Sequence, residues 1–168
     1  QGVDILATEQ SDVPERHRSM RAAFDYSWKL LGEDERAAYA RMSVFRGGCS
    51  RKAAQSITGA TLPVLTAMVN KSLLHRDAES GTFNIHELLR QIAEEHLDAS
   101  GVAETIRAAH SDYYLQAMVG KEADLKGRDQ LGAMTDIESD FENVRAAWGW
   151  AVEQKQHEEP RRAEKLRR

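Results

Sequence analysis

Apolar side chains fall at helical spacing from Arg18 onward. Met20, Phe24, Trp28 and Leu31 are separated by four, four and three residues, which places them on one face of a helix. Gly32 closes that segment. Glu33, Asp34 and Glu35 open the next, with carboxylates beside the positive end of the helix dipole. Ala38, Met42 and Phe45 form its apolar stripe, and Gly47-Gly48 ends it. Ser50 is placed to cap a short third helix that carries Ala53, Ala54 and Ile57 and stops at Gly59. Thr61 is placed to cap a fourth, with Pro63 tolerated in the first turn and Leu62, Leu65, Met68, Val69 and Leu73 inward.

The period then changes. LLHRD and TFNIH flank the turn AESG, and Phe83 and Ile85 alternate with Thr82, Asn84 and His86, which predicts a short β-hairpin. Glu87 begins another helix with Leu88, Leu89, Ile92, Ala93 and Leu97 inward. Four helices, a two-stranded wing and a fifth helix are the order of a winged-helix domain with extra helices. Past Ser100-Gly101 the pattern is helical throughout. Ile106, Ala109, Tyr113 and Ala117 make one stripe, and GKEADLKGRDQ is a polar connection. Met134, Ile137, Phe141, Val144 and Trp148 make a second stripe, extended by Ala151 and Val152. Two such helices pair as an antiparallel hairpin, either as the start of a TPR-like array or simply packed on the preceding core. The expected organisation is mainly α: an arm over 1–17, a winged-helix domain over 18–99 and a helical extension over 100–168.

Composition fits a folded chain: of 168 residues, 41% are hydrophobic and 30% charged. No apolar run approaches the ~20 residues that cross a bilayer. The opening QGVDILATEQ has neither a methionine nor a signal-peptide core, so it reads as the start of a piece cut from a longer protein. The single cysteine, Cys49, forms no internal disulfide, which suits the cytoplasm; a packing role is expected for it. The net charge of −4 argues against a basic DNA-binding face. RRAEKLRR, residues 161–168, is the one basic cluster, and such a run is usually a solvated helix end.

HELLRQIAEEH, residues 86–96, has the outline of a zinc-protease helix. The metal reading fails because Arg90, which has no lone pair to give, stands where the second ligand belongs, and Ala93 replaces the turning glycine. His86 needs another role. At the end of a wing strand and the start of a helix, an imidazole N–H is displayed and able to donate to a phosphate oxygen. The first-turn amides of the following helix favour an anion nearby. The alternative is a histidine that caps the helix or packs under the wing.

VPERHRSMRAAFDYSWKLLGEDERAAYARMSVFRGG, LPVLTAMVNKSLL and FNIHELLRQIAEEHL occur in that order, with the wing between the last two. Over residues 13 to about 155 this resembles the winged-helix segment and start of the helical-repeat sensor of STAND-type signalling ATPases. It resembles in particular the bacterial transcriptional regulators and predicted ATPases of the AfsR and MalT sort, related to the NB-ARC ATPases. The resemblance implies a nucleotide-binding P-loop domain upstream that takes ADP or ATP with Mg²⁺. Ile85-His86-Glu87 is similar to that group's Met-His-Asp motif, whose histidine contacts the β-phosphate of ADP and holds the switch closed. Ile for Met is a mild change, and Glu for Asp adds one methylene, so the acid's role carries over less securely than the histidine's.

The chain itself contains no G-x-x-x-x-G-K-[ST] loop and no nucleophile–base spacing, so no catalytic residue is assigned and no ATPase activity is expected of it. Three functions follow as expectations. The first is a non-catalytic regulatory module, with His86 as an ADP latch, Arg90 and Arg76 as accessory cations, and its own upstream nucleotide domain as partner. The second is a DNA-binding winged helix, disfavoured because LPVLTAMVN is uncharged. The third is a helical interaction or oligomerisation domain presenting Tyr113, Tyr114, Trp148 and Trp150 to a protein partner or inducer. Trp148 and Trp150, two residues apart, do not share a helix face, so one of them is expected to be exposed.

Overall fold

A computed structural model describes the backbone of residues 21, 22 and 24–165, and the side-chain surroundings of these as far as 155. The arm over 1–17, Met20 and the last three residues of the basic tail lie outside the described residues. Helix α1 covers 21–22 and 24–29, followed by α2 (Glu33–Met42), α3 (Arg51–Thr58) and α4 (Leu62–Asn70). Strands β1 (His75–Arg76) and β2 (Phe83–Asn84) form the wing; α5 (Glu87–Ala99), α6 (Ala103–Lys126) and α7 (Gln130–Lys165) complete the chain. The fold is mainly α, a winged-helix arrangement with a small antiparallel hairpin and a helical region after it.

Local chemistry sets most boundaries where expected. The Ser50 hydroxyl accepts from the Ala53 N–H at 3.1 Å, and Gly59 ends α3 at φ +75°, a left-handed conformation that glycine adopts without Cβ strain. Glu35 accepts from the Gly32 N–H at 2.8 Å at the start of α2 and holds Lys71, at the end of α4, at 2.8 Å. Thr61 occupies the N-cap of α4, but its side chain makes no cap hydrogen bond. The expected 120–130 connection is largely helical: α6 runs to Lys126, because KEADLK contains no breaker, and Gly127 is the stop.

The core joins α1 to α5 and continues into α6 and α7. Phe24, Leu31, Tyr39, Met42, Phe45, Leu65, Met68, Phe83 and Leu97 are all buried, together with Ile106, Tyr114 and Ala147. The wing has a third backbone partner that period-two reading missed. Cys49 and Phe83 exchange two backbone hydrogen bonds, at 2.9 and 2.8 Å, and tie the loop after α2 to β2.

The last two helices correct the expected stripes in part; of the α7 stripe, Val144 packs against the core and Ile137 is half-buried. On α6 the buried positions are Ile106, His110, Ser111 and Tyr114, whereas Ala109 and Tyr113 are half-buried and Ala117 is exposed. On α7 the buried residues are Ala133, Asn143 and Ala147. Met134, Phe141 and Trp148, expected inward, are 53%, 54% and 64% exposed, and Val152 is exposed too. Small residues win the inner face because they let α6 approach closely, while the bulky heptad-spaced side chains point outward. Of the two tryptophans Trp148 is the exposed one, and Tyr114, expected to face a partner, is buried.

Candidate functional site

His86 stands between β2 and α5 as the N-cap residue of α5. Its Nδ1 accepts from the Leu88 N–H at 3.3 Å, and the residue is exposed. An Nδ1 that accepts carries no proton, so in this geometry the proton of the neutral imidazole sits on Nε2. The capping role, given as the alternative from the sequence, is the one the geometry shows. His86 caps the helix with one nitrogen, and an N–H donor remains on the other, next to a first helical turn whose own amides favour anions.

The acid after it is committed elsewhere. Glu87 takes a two-pronged ion pair from Arg90, at 2.7 and 2.8 Å, and a hydrogen bond from Gln91 at 3.0 Å. The hydrogen bonds from Arg90 hold the Glu87 carboxyl down at about 2. Arg90 is buried and donates as well to Glu94 at 2.8 Å and to the Ser43 carbonyl at 3.3 Å. Those acceptors raise its pKa, those of Glu87 most. With its donors turned toward three protein acceptors, Arg90 is a structural cation joining α5 to the end of α2, not the accessory phosphate ligand expected. Arg76, the other arginine expected there, is exposed on β1, paired in register with Phe83.

Glu94 extends this network to Arg46 at 3.4 Å and Arg107 at 3.7 Å, and Arg107 also pairs with Asp98 at 2.6 Å. Burial, then the neighbouring Arg90 charge, lowers the Arg46 pKa. A cleft of about 220 Å³ opens beside these groups, lined by Arg46, Glu94, Arg107, His110 and Trp150. It falls below the roughly 300–1,000 Å³ of ordinary small-molecule sites.

His96 stacks on Trp28 with ring centroids 4.1 Å apart, packing α5 on α1. His86 lies ten residues before it, about 15 Å along a helix, so the two imidazoles do not converge on one ion. Cys49 is buried, and burial pushes its thiol up to about 12, in keeping with the packing role expected for it. The exposed side of α4 consists of Leu62, Pro63, Thr66 and Asn70. The Thr66 hydroxyl is turned back onto the Leu62 carbonyl at 2.9 Å.

Sequence periodicity missed a buried polar joint between the two halves. Asn143 of α7 has no exposed surface. Its Oδ1 accepts from the Arg46 backbone N–H at 2.8 Å and lies 3.2 Å from His110 Nε2, and its Nδ2 donates to the Gly48 carbonyl at 2.7 Å. Since Oδ1 only accepts, the neutral His110 carries its proton on Nε2. Burial drives the His110 pKa down to about 4, and the Arg46 charge also opposes protonation. One turn along, the Ser111 hydroxyl donates to the Ala147 carbonyl at 2.9 Å. The signal available in the sequence was a histidine four residues after Ile106 and four before Tyr114, on the stripe that proved to be inward.

These elements define a winged-helix segment whose wing end displays one imidazole and whose helical hairpin is bolted to the wing side. The chain is similar to a stretch of proteins of Mycobacterium tuberculosis and Mycobacterium bovis, each bearing the name "Putative HTH-type transcriptional regulator". Identity is 32% over 160 residues, covering 89% of this chain and 18% of each relative, so the chain spans less than a fifth of their length. No family model matches the chain. No solved structure matches it either. Among the described residues no helix is long and apolar enough to cross a membrane.

Proposed function

We propose that this chain is a non-catalytic regulatory module of a larger cytoplasmic transcriptional regulator. In this reading a separate domain of that protein binds ADP or ATP with Mg²⁺, and His86 latches the ADP-bound state. The observation that carries it is the division of labour at His86: Nδ1 caps α5, and an exposed side chain keeps an Nε2–H donor beside the first helical turn. The chain's own contribution to nucleotide is that single donor, so it acts by closing over a phosphate held elsewhere. A rigid-body swing of the winged helix is a natural output of such a contact, with the helical region passing the signal to or from a protein partner or inducer. The similarity to transcriptional regulators five times longer supports a module within a larger protein.

The test is His86→Ala in the full-length regulator. Loss of a hydrogen bond to a charged group, about 1.5–3 kcal/mol, lowers ADP affinity roughly ten- to a hundredfold and raises basal signalling. Unchanged ADP affinity in that variant sinks the latch. The isolated chain should give no ATP turnover and no heat with ADP at micromolar concentration.

A second reading, direct DNA contact, is favoured by two observations: α3 and α4 are joined by the short turn Gly59-Ala60-Thr61, and the relatives bear the helix-turn-helix name. Against it, the exposed side of α4 offers one amide, Asn70, and the nearby Lys71 is held by Glu35. Mobility shifts at modest salt separate the two. Tight binding that survives removal of 161–168 would favour DNA contact.

A further inference from the structure

Among the described residues Asn143 bonds at once to His110 of α6 and to the loop after α2, the loop that Cys49 ties to the wing. Its three partners are a backbone donor, a backbone acceptor and the His110 imidazole, at 2.8, 2.7 and 3.2 Å. The carboxamide carries the acceptor and the donor for this set on two separate atoms, Oδ1 and Nδ2, of one short stem. An aspartate keeps the acceptor but turns an oxygen toward the Gly48 carbonyl. A leucine leaves the Arg46 N–H and the Gly48 carbonyl without their partner.

What Asn143 grips leads directly to His86. Gly48 has φ +97°, and a Cβ there would collide with the Asn84 side chain, so the loop backbone lies against β2. The next residue, Cys49, exchanges two backbone hydrogen bonds with Phe83. Phe83 and Asn84 are β2, and His86 follows two residues later as the cap of α5. Every step from α7 to the cap is a bond or a packed contact, with no solvent gap.

We infer that Asn143 is a positioning residue that sets the wing against α7, so that a displacement of the helical hairpin is transmitted through Gly48, Cys49 and β2 to His86. The transmission to His86 rests on the proposed function; the mechanical joint between α7 and the wing does not. The joint makes α6–α7 more than a passive extension. A partner that pulls the α6–α7 hairpin away from the loop breaks the two bonds from Asn143 to Arg46 and Gly48 together, while the bond to His110 stays within the hairpin, and it leaves the Gly48–Cys49 backbone that pairs with β2 without that anchor. By linkage, a ligand that fixes the wing tightens the hairpin to the same degree.

Amide hydrogen exchange on the whole chain tests the joint. In Asn143→Asp, exchange at Arg46, Cys49 and Phe83 rises at least roughly tenfold, while Ile92 and Ala93 in α5 keep their protection. Ser111→Ala loosens the same helix pair one turn away and should leave Cys49 and Phe83 unchanged. A uniform rise across the chain, or no rise at Cys49 and Phe83, overturns the inference. If Asn143→Asp does not fold, the unsubstituted chain answers in a urea series. Arg46, Cys49, Phe83 and Ala147 should open with one shared free energy and one denaturant slope, and separate openings refute the joint. ADP affinity of the full-length His86→Ala variant is a separate readout, so the latch and the joint fail independently.

Discussion

His110 gives the chain a built-in pH dependence whose size follows from its surroundings. The imidazole is 4% exposed, wedged between Phe45 and Tyr114 with ring centroids 5.6 and 4.9 Å away, and it donates to an oxygen that Arg46 also uses. Its pKa of about 4 in the fold compares with an ordinary value of 6.5. Between those values the unfolded chain binds a proton that the native chain refuses. Stability therefore rises with pH across that window, is fully present above about 6.5, and falls as the solution is acidified. At 1.36 kcal/mol per pKa unit the loss from pH 7 down to 4.5 comes to about 2.5 kcal/mol, a large share of the ~5–15 kcal/mol of a typical domain. Urea denaturation at half-unit steps from pH 7 to 4.5, in the natural chain and in His110→Gln, measures it. Glutamine keeps a donor without the titration, so its curve should be flatter by that amount. Identical pH slopes in the two proteins would refute the argument that His110 is held neutral by burial.

The aromatic residues should behave oppositely. Phe24→Ala removes a buried ring packed with Trp28, Tyr39 and His96 and should cost about 3–5 kcal/mol, whereas the half-exposed Phe141→Ala should cost under about 1, read by thermal melting. Arg90→Met should destabilise by about 1–3 kcal/mol in urea titrations, because the Ser43 carbonyl loses its buried donor while Glu94 keeps Arg46 and Arg107; a neutral result would refute a structural role for Arg90. Cys49 should resist alkylation at pH 8 in the folded chain and react only at the rate of unfolding, since burial holds its thiol up at about 12.

Much of this architecture is legible in the residues alone. Apolar spacing locates the helices from α2 to α5, and Ser50 and Gly59 mark the ends of α3 by hydrogen bonding and by φ. A shift to period two locates the wing and sets His86 at its end. Those are local properties, decided within a few residues of chain. Which face of a long helix turns inward is not local. Met134, Phe141 and Trp148 form the more hydrophobic stripe of α7, yet Ala133, Asn143 and Ala147 are buried, because close approach to α6 and three available hydrogen-bond partners outweigh side-chain bulk. The pairing of Cys49 with Phe83 joins positions 34 residues apart, and no periodicity records it. Arg90 looked available from its place after His86; only the folded chain brings Ser43 and Glu94 to it. The sequence by itself determined the elements and put an imidazole at the wing's end. The tertiary structure decided which polar groups are spent on holding the fold, since a donor is free or taken only relative to partners that folding brings near.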